Sequence, residues 1–245
     1  GMDGYAFKDP GTGYFHREDL LEGWLGVSSG AVDLGLVAGF TEREKGLQGL
    51  SDFYSVNHRY ISASPSFGLK PADFFSMQTQ VEFSATNRIL AVSTQSVPAV
   101  REQEILLNPD LNLSFTLTDL SINLGGYYGL QVVDGFSAPI HRAGARAGFE
   151  LSLFDTALLT ASGGPSWVFR PGLEFIVPFD VELSINITES LSINANGGNR
   201  HVPLYFSEMW KEIPLLAVSQ PIAEPSTLYL GGGFQWDIAE RVLEL

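Results

Sequence analysis

The charged side chains whose spacing suits chemistry are Glu82, Glu150, Glu174 and Glu182, together with Arg146 and Arg170. Each glutamate falls, by parity within its own run, on the polar side of a predicted strand. Arg146 shares a side with Glu150 four residues on, and Arg170 shares one with Glu174. On an open surface such pairs contribute about 0–1 kcal/mol each. In a narrow wet passage they have to pair, because an isolated carboxylate there shifts towards its neutral form or draws in water. An Arg–Glu network in that setting fills or gates the passage. These residues are the candidate binding set.

Other chemistries find little support. Cys 0 removes a thiolate nucleophile, a thiolate metal site and a disulfide framework together. His16, His58, His141 and His201 show no ligand spacing of the HExxH kind, so neither a metal nor another cofactor is expected. A serine hydrolase needs serine, histidine and an acid to converge. His201 lies near Ser207 and Glu208 in one loop, but no GxSxG elbow occurs, and the chain reads as non-enzymatic. Lys+Arg 14 against Asp+Glu 28 leaves a net charge of −14. Cations this sparse exclude a general nucleic-acid partner.

The elements that must position these residues are strands. Leu111, Leu113, Phe115 and Leu117 alternate with Asn112, Ser114, Thr116 and Thr118, and the alternation restarts at Leu120 after a very short link. That is a hairpin signal. It recurs around Asp155-Thr156 and Thr188-Glu189-Ser190, more weakly at Lys70–Asp73, and a last strand runs through Leu228–Trp236. About ten strands follow, with helix expected only at Phe15–Leu25, Glu208–Leu216 and the tail Ile238–Leu245. Pro178 breaks the alternation and predicts a bulge or an edge position. No composition shift divides the 245 residues, so they read as one domain. Within it, 1–56 is an N-terminal segment with one or two strands, 57–237 the main array and 238–245 a tail. No run reaches the roughly 18 apolar residues of a transmembrane helix.

Two features separate this array from an ordinary soluble sheet. The links at 118–119, 155–156 and 188–190 are tight, while 132–145 and 197–226 are long and rich in Gly, Pro and Asn. The polar side is made of small neutral residues such as Asn112, Ser114, Ser121, Asn123, Ser184, Asn186 and Asn194, and charged residues are only 17% of the chain. Soluble domains average roughly 25%. Small polar residues suit a crowded lumen, and the Leu, Ile, Val and Phe side then faces lipid.

In the segments LNLSFTLTDLSINLGGYYG, VELSINITESLSINANGG and TLYLGGGFQWDI the chain resembles the bacterial outer-membrane β-barrel class, over roughly residues 57–237. The resemblance implies a single antiparallel up-and-down all-β barrel of about 8–12 strands, with short turns at one end and long loops at the other. It further implies a channel, receptor or structural surface protein. Its partners would be outer-membrane lipid and small solutes or extracellular ligands. One departure is that the chain runs past Trp236 to Leu245, where such barrels commonly end on an aromatic residue. Two other architectures fit the same alternation: a soluble lipocalin-like barrel with its apolar side lining a pocket, and a secreted β-sandwich with an adhesive or structural role. These would place the chain in the periplasm or outside the cell.

Parity decides among them. In the membrane barrel Leu113, Phe115, Leu151, Leu183 and Ile185 point outwards, and Phe154, Trp167 and Phe179 fall near the two membrane interfaces as an aromatic girdle requires.

Overall fold

The structure, a computed structural model, describes residues 15–48, 53–92, 99–154, 156–188, 190–217 and 220–236. Asp155, Glu189 and the tail Ile238–Leu245 lie outside the described residues. The chain forms one antiparallel sheet. Its strands are β1 (Phe15–Ser29), β2 (Val32–Gln48), β3 (Phe53–Ala72), β4 (Phe75–Val92), β5 (Val100–Thr116), β6 (Leu120–Val133), β7 (Ile140–Leu153), β8 (Ala157–Gly163), β9 (Ser166–Phe169), β10 (Leu173–Ile176), β11 (Phe179–Thr188), β12 (Leu191–His201) and β13 (Ser226–Trp236). Among the described residues the one helix is α1 (Phe206–Glu212), and no helix is long and apolar enough to cross a membrane.

Every strand from β1 to β8 pairs with its sequence neighbours, and the path continues through β11, β12 and β13. Strand β9 pairs with β7 in the register of β8, and β10 pairs with β9 in the register that β11 keeps with β8. Thus β8–β9 and β10–β11 are two long strands interrupted at Gly164-Pro165 and Val177-Pro178, where proline cannot donate to the ladder. Across the interruption Gly164 N–H still donates to Pro178 O at 3.1 Å. A Cβ on Gly164 would sit 2.0 Å from Ala145 O, so only glycine permits this close approach. Pro178 therefore marks an interruption in the ladder rather than the bulge or edge position expected from the sequence.

Because neighbours alternate in direction, the adjoining ends of β1 and β2, β3 and β4, β5 and β6, β7 and β8, and β11 and β12 all lie at one end. The links at 134–139 and 202–225 lie at the other end with the β9–β10 hairpin. This is the lopsided meander expected from the sequence.

The expected helix at Phe15–Leu25 is not formed. Those residues pair along their whole length with β2, from Phe15 opposite Gly46 to Ser29 opposite Val32. Gly23 and Gly26 weaken the helical alternative, and a full ladder with β2 outweighs the remaining helical spacing. The second expected helix does form, shifted to Phe206–Glu212. It stops before Ile213, since Pro214 disfavours the helical region for the residue preceding it.

The two faces of the sheet differ sharply. One carries Leu113, Phe115, Leu151, Leu183 and Ile185, together with large exposed side chains such as Phe83, Leu111, Leu124, Phe149 and Val181. The other carries Arg88, Glu104, Gln131 and Arg142, all buried, and the small polar residues. The apolar residues do not converge on a dry interior, which removes the lipocalin-like arrangement. Among the described residues there is one sheet rather than two, which removes the sandwich.

The apolar face also has a definite height. On β4 it runs from Phe75 to Ala85, about 25 Å at roughly 2.5 Å of advance per residue, the thickness of a barrel's lipid-facing band. It ends at a row of polar residues in direct register, Asp19, Glu42, Arg59, Asn87 and Gln103. There Arg59 Nε donates to Glu42 Oε1 at 2.9 Å. Aromatic side chains gather near the tight turns, where Phe75 and Phe115 lie 5.1 Å apart and Phe154 is exposed. Others flank the break towards the opposite end, where Trp167 and Phe175 lie 5.7 Å apart and Phe179 is exposed.

Candidate functional site

The link from β12 to β13 does not extend away from the sheet. It folds back over the polar face, and α1 rests there. Phe206 and Trp210, one helical turn apart, are fully buried with Val133, and Phe136, Met209 and Leu216 pack around them. Phe206 meets Phe136 edge to face at 5.4 Å. Trp210 lies under the guanidinium of Arg88, 5.0 Å from its ring centre.

A chain of buried polar contacts fastens this loop to the wall. The N-cap residue of α1, Tyr205, provides no side-chain cap. Instead Glu104 of β5 accepts from Phe206 N–H at 2.9 Å and Ser207 N–H at 2.7 Å, satisfying two of the donors a helix start leaves open. Gln131 Nε2 of β6 donates to the same carboxylate at 2.5 Å and to Leu204 O at 3.2 Å. Gln131 Oε1 accepts from Arg142 of β7 at 2.6 Å. Arg142 Nε then donates to Glu224 Oε1 at 2.8 Å, and His201 Nε2 lies 2.9 Å from Glu224 Oε2. Beside this chain Arg88 of β4 pairs with Glu102 and donates to Pro214 O at 2.8 Å. Burial pushes the Glu224 carboxyl up, but the His201 ring and the Arg142 guanidinium outweigh that and hold it at about 2.

Below the fastened loop the polar face is acidic. Glu82, Asp110, Glu150, Asp180 and Glu182 stand on the inner side of β4 to β11 against Arg146, which pairs with Asp110 at 2.7 Å. Thr160 lies between Glu150 and Glu182 in direct register. Asp180 accepts from Tyr229 O–H. Between loop and wall lies a cavity of about 400 Å³, lined by Glu82, Asn108, Asp110, Tyr127, Arg146 and Tyr205 among others.

Of the candidate residues, Glu82, Arg146, Glu150 and Glu182 share this inner face. Arg146 turns to Asp110 rather than to Glu150, and Glu82 has the amide of Gln80 beside it at 3.5 Å. Arg170 and Glu174 form an ion pair across the β9–β10 turn rather than along one strand, near the long-loop end, where Arg170 also donates to Ile222 O. The hydrolase arrangement around His201 is not assembled: His201 faces Glu224, Ser207 N–H is held by Glu104, and Glu208 pairs with Lys211 at 2.6 Å. Sequence reasoning missed Arg88, Glu104, Gln131, Arg142 and Glu224. Phe206 and Trp210 were the available signal, since two large apolar residues at helical spacing in a long polar loop need a surface to bury against.

The chain matches no protein-family model and no curated protein. Among solved structures it is similar to the copper transporter OprC, at a TM-score of 0.70 and 13% identity, over 93% of this chain and 44% of that one. It is also similar to BauA, the ferric preacinetobactin receptor from Acinetobacter baumannii, at a TM-score of 0.61 and 13% identity, over 92% and 45% of the two chains. The fold is that of an outer-membrane β-barrel wall. The chain spans less than half the length of either protein.

Proposed function

We propose that this chain forms part of an outer-membrane channel wall, non-catalytic, whose acidic inner face admits small cationic or neutral polar solutes and whose 202–225 loop restricts the passage. One observation carries the reading: a loop with a buried aromatic core is fastened to the polar side of a sheet whose other side is an apolar band of membrane height. A solute moving along the inner face would pass Glu82, Glu150, Asp180 and Glu182, with Arg146 and, on β12, Arg200 among the cations that face them. Charged rings of this kind attract ions of opposite sign and exclude like ones.

The test is electrical. Purified protein inserted into a planar bilayer under a KCl gradient should conduct with a reversal potential favouring K⁺ over Cl⁻. Removing the loop's aromatic core by Trp210→Ala should raise the conductance. Protein that stays soluble and monomeric without detergent would refute the membrane reading. Inserted protein that conducts with anion preference would refute the acidic passage.

A further inference from the structure

We propose that the cavity between α1 and strands β2 to β4 binds a small tetrahedral oxyanion, either phosphate or the phosphate group of a solute. The acidic stretch of the proposed passage lies below the loop. This site lies under the helix itself and carries the opposite charge. Binding there goes beyond the channel reading and does not depend on whether ions travel along the wall.

Five strands bring Glu18, Arg43, His58, Arg88 and Glu102 into direct register on the inner face. The carboxylates stand at the two ends of this row and the bases in the middle, with His58 between two arginines. Like charges brought together across a sheet repel. Lys45 joins them two residues along β2, and Lys211 reaches over from α1, 5.3 Å from the ring centre of Tyr60. The charges of Arg43, Lys45, Arg88 and Lys211 all bear on the His58 ring. These are four of the chain's 14 lysines and arginines.

The neighbouring carboxylates leave this charge incompletely balanced. Glu18 pairs with Arg43 at 2.5 Å, Glu102 with Arg88, and Glu208 with Lys211 at 2.6 Å. Lys45 has no ion-pair partner among the described residues. Glu104, opposite Thr86, is already taken by Gln131 Nε2 and the N–H groups of Phe206 and Ser207.

The cavity has a volume of about 220 Å³. Drug-sized ligands occupy about 300–1,000 Å³, so it suits one small group. Arg43, His58 and Lys211 line it together with the hydroxyls of Thr41, Tyr60, Thr86 and Ser207. Glu18, already paired, is the one carboxylate among the described lining residues. A guanidinium, an ammonium, a ring nitrogen and four hydroxyls thus face one another from wall and helix. Donors set on several sides match a tetrahedral oxyanion, which accepts in every direction. Two of the lining side chains also hold buried nitrogens, Arg43 Nε and His58 Nε2, with no hydrogen-bond partner among the described residues. Arg88, beside His58 and only 2% exposed, has its Nε in the same condition. Such buried groups are costly, and an anion in the cavity supplies acceptors where they are lacking.

The chain is folded into detergent and its β-structure checked by circular dichroism. Binding of radiolabelled inorganic phosphate is then followed by equilibrium dialysis against a chloride background of constant ionic strength. One phosphate per chain should bind saturably. Displacement by glycerol phosphate assigns the phosphate group of a solute, and retention against it assigns the free ion. Arg43→Gln and Lys211→Gln should each weaken binding about tenfold or more. Lys211→Arg should retain most of it, and Arg101→Gln, on the outer face, should leave it unchanged. Lys211 lies on the helix, so its variant keeps the test valid if Arg43→Gln disturbs the sheet. Phosphate should also slow proteolysis within 202–225, since the ion bridges α1 and the wall. A folded chain without saturable binding, or binding that Lys211→Gln and Arg101→Gln leave alike, would overturn the site. Conductance with K⁺ preference but no phosphate binding would sink this site and leave the channel reading standing.

Discussion

Glu104 and Ser207 stand 103 positions apart in the sequence, and the carboxylate of one caps the helix that begins beside the other at 2.7 Å. Strand β5 thus supplies the cap that α1 lacks. Glu104→Ala should remove acceptors for two helix N–H groups and leave Gln131 Nε2 with Leu204 O alone, loosening the loop by about 2–4 kcal/mol while the sheet persists. Limited proteolysis would show faster cleavage within 202–225, and bilayer recording a larger conductance. Glu104→Gln keeps one acceptor and should fall between. Unchanged cleavage in the alanine variant would show that the aromatic core alone seats the loop.

Face polarity gives a sharper contrast between adjacent residues. Leu113 and Asn112 are neighbours on β5 with opposite orientation. Leu113→Arg puts a cation on the lipid-facing band, where the cost reaches about 2–4 kcal/mol at mid-depth. Insertion into vesicles should fall markedly. Asn112→Arg enters the wet interior and should insert normally. Equal insertion by both variants would contradict the assignment of faces.

Much of this was readable in the sequence because period-two alternation is a local signal. Runs such as 111–118 and 181–187 fix which residues share a face, and the tight links fix which ends coincide. What the sequence conceals depends on register and on loop return. Glu104 opposite Val133, and Gln131 opposite Ile140, follow from ladder positions no local pattern encodes. The return of residues 202–225 to the inner face depends on a concave surface that exists only once the strands have assembled. At Phe15–Leu25 the local pattern misled, since helical spacing there was overridden by pairing with β2.

The latch between Arg142 and Glu224 should respond to acid. Glu224 sits at about 2 with the loop seated, against an ordinary 4.5. A carboxylate lowered by its folded surroundings adds stability above its ordinary value and loses it as pH falls towards the lowered one. The difference corresponds to about 3 kcal/mol. Loop seating should therefore be complete above about pH 5 and weaken between there and pH 2. Pepsin cleavage within 202–225, followed between pH 5 and pH 2, should rise over that window. In Glu224→Gln, which has no proton to gain and leaves Arg142 without its counter-charge, cleavage should start high and stay flat. A Gln variant with an unaltered pH profile would assign the transition to other carboxylates.

Arg146 separates a structural salt bridge from a selectivity device. Its pair with Asp110 is half-exposed, with side-chain exposures of 46% and 36%. Such pairs contribute at most about 1 kcal/mol, so Arg146→Ala should leave thermal stability nearly unchanged. Electrically the change is larger. It removes one of the cations that face Glu82, Glu150, Asp180 and Glu182 and frees the charge of Asp110, making the inner face more negative by one. The reversal potential under a KCl gradient should move further towards that of K⁺. The shift should shrink as salt is raised from 0.1 M to 1 M, since the screening length falls from about 10 Å to about 3 Å. Asp110→Asn should move it the opposite way. An unchanged reversal potential in both variants would mean that ions do not travel along this face. A stability loss of several kcal/mol for Arg146→Ala would instead mark the pair as part of the barrel's packing.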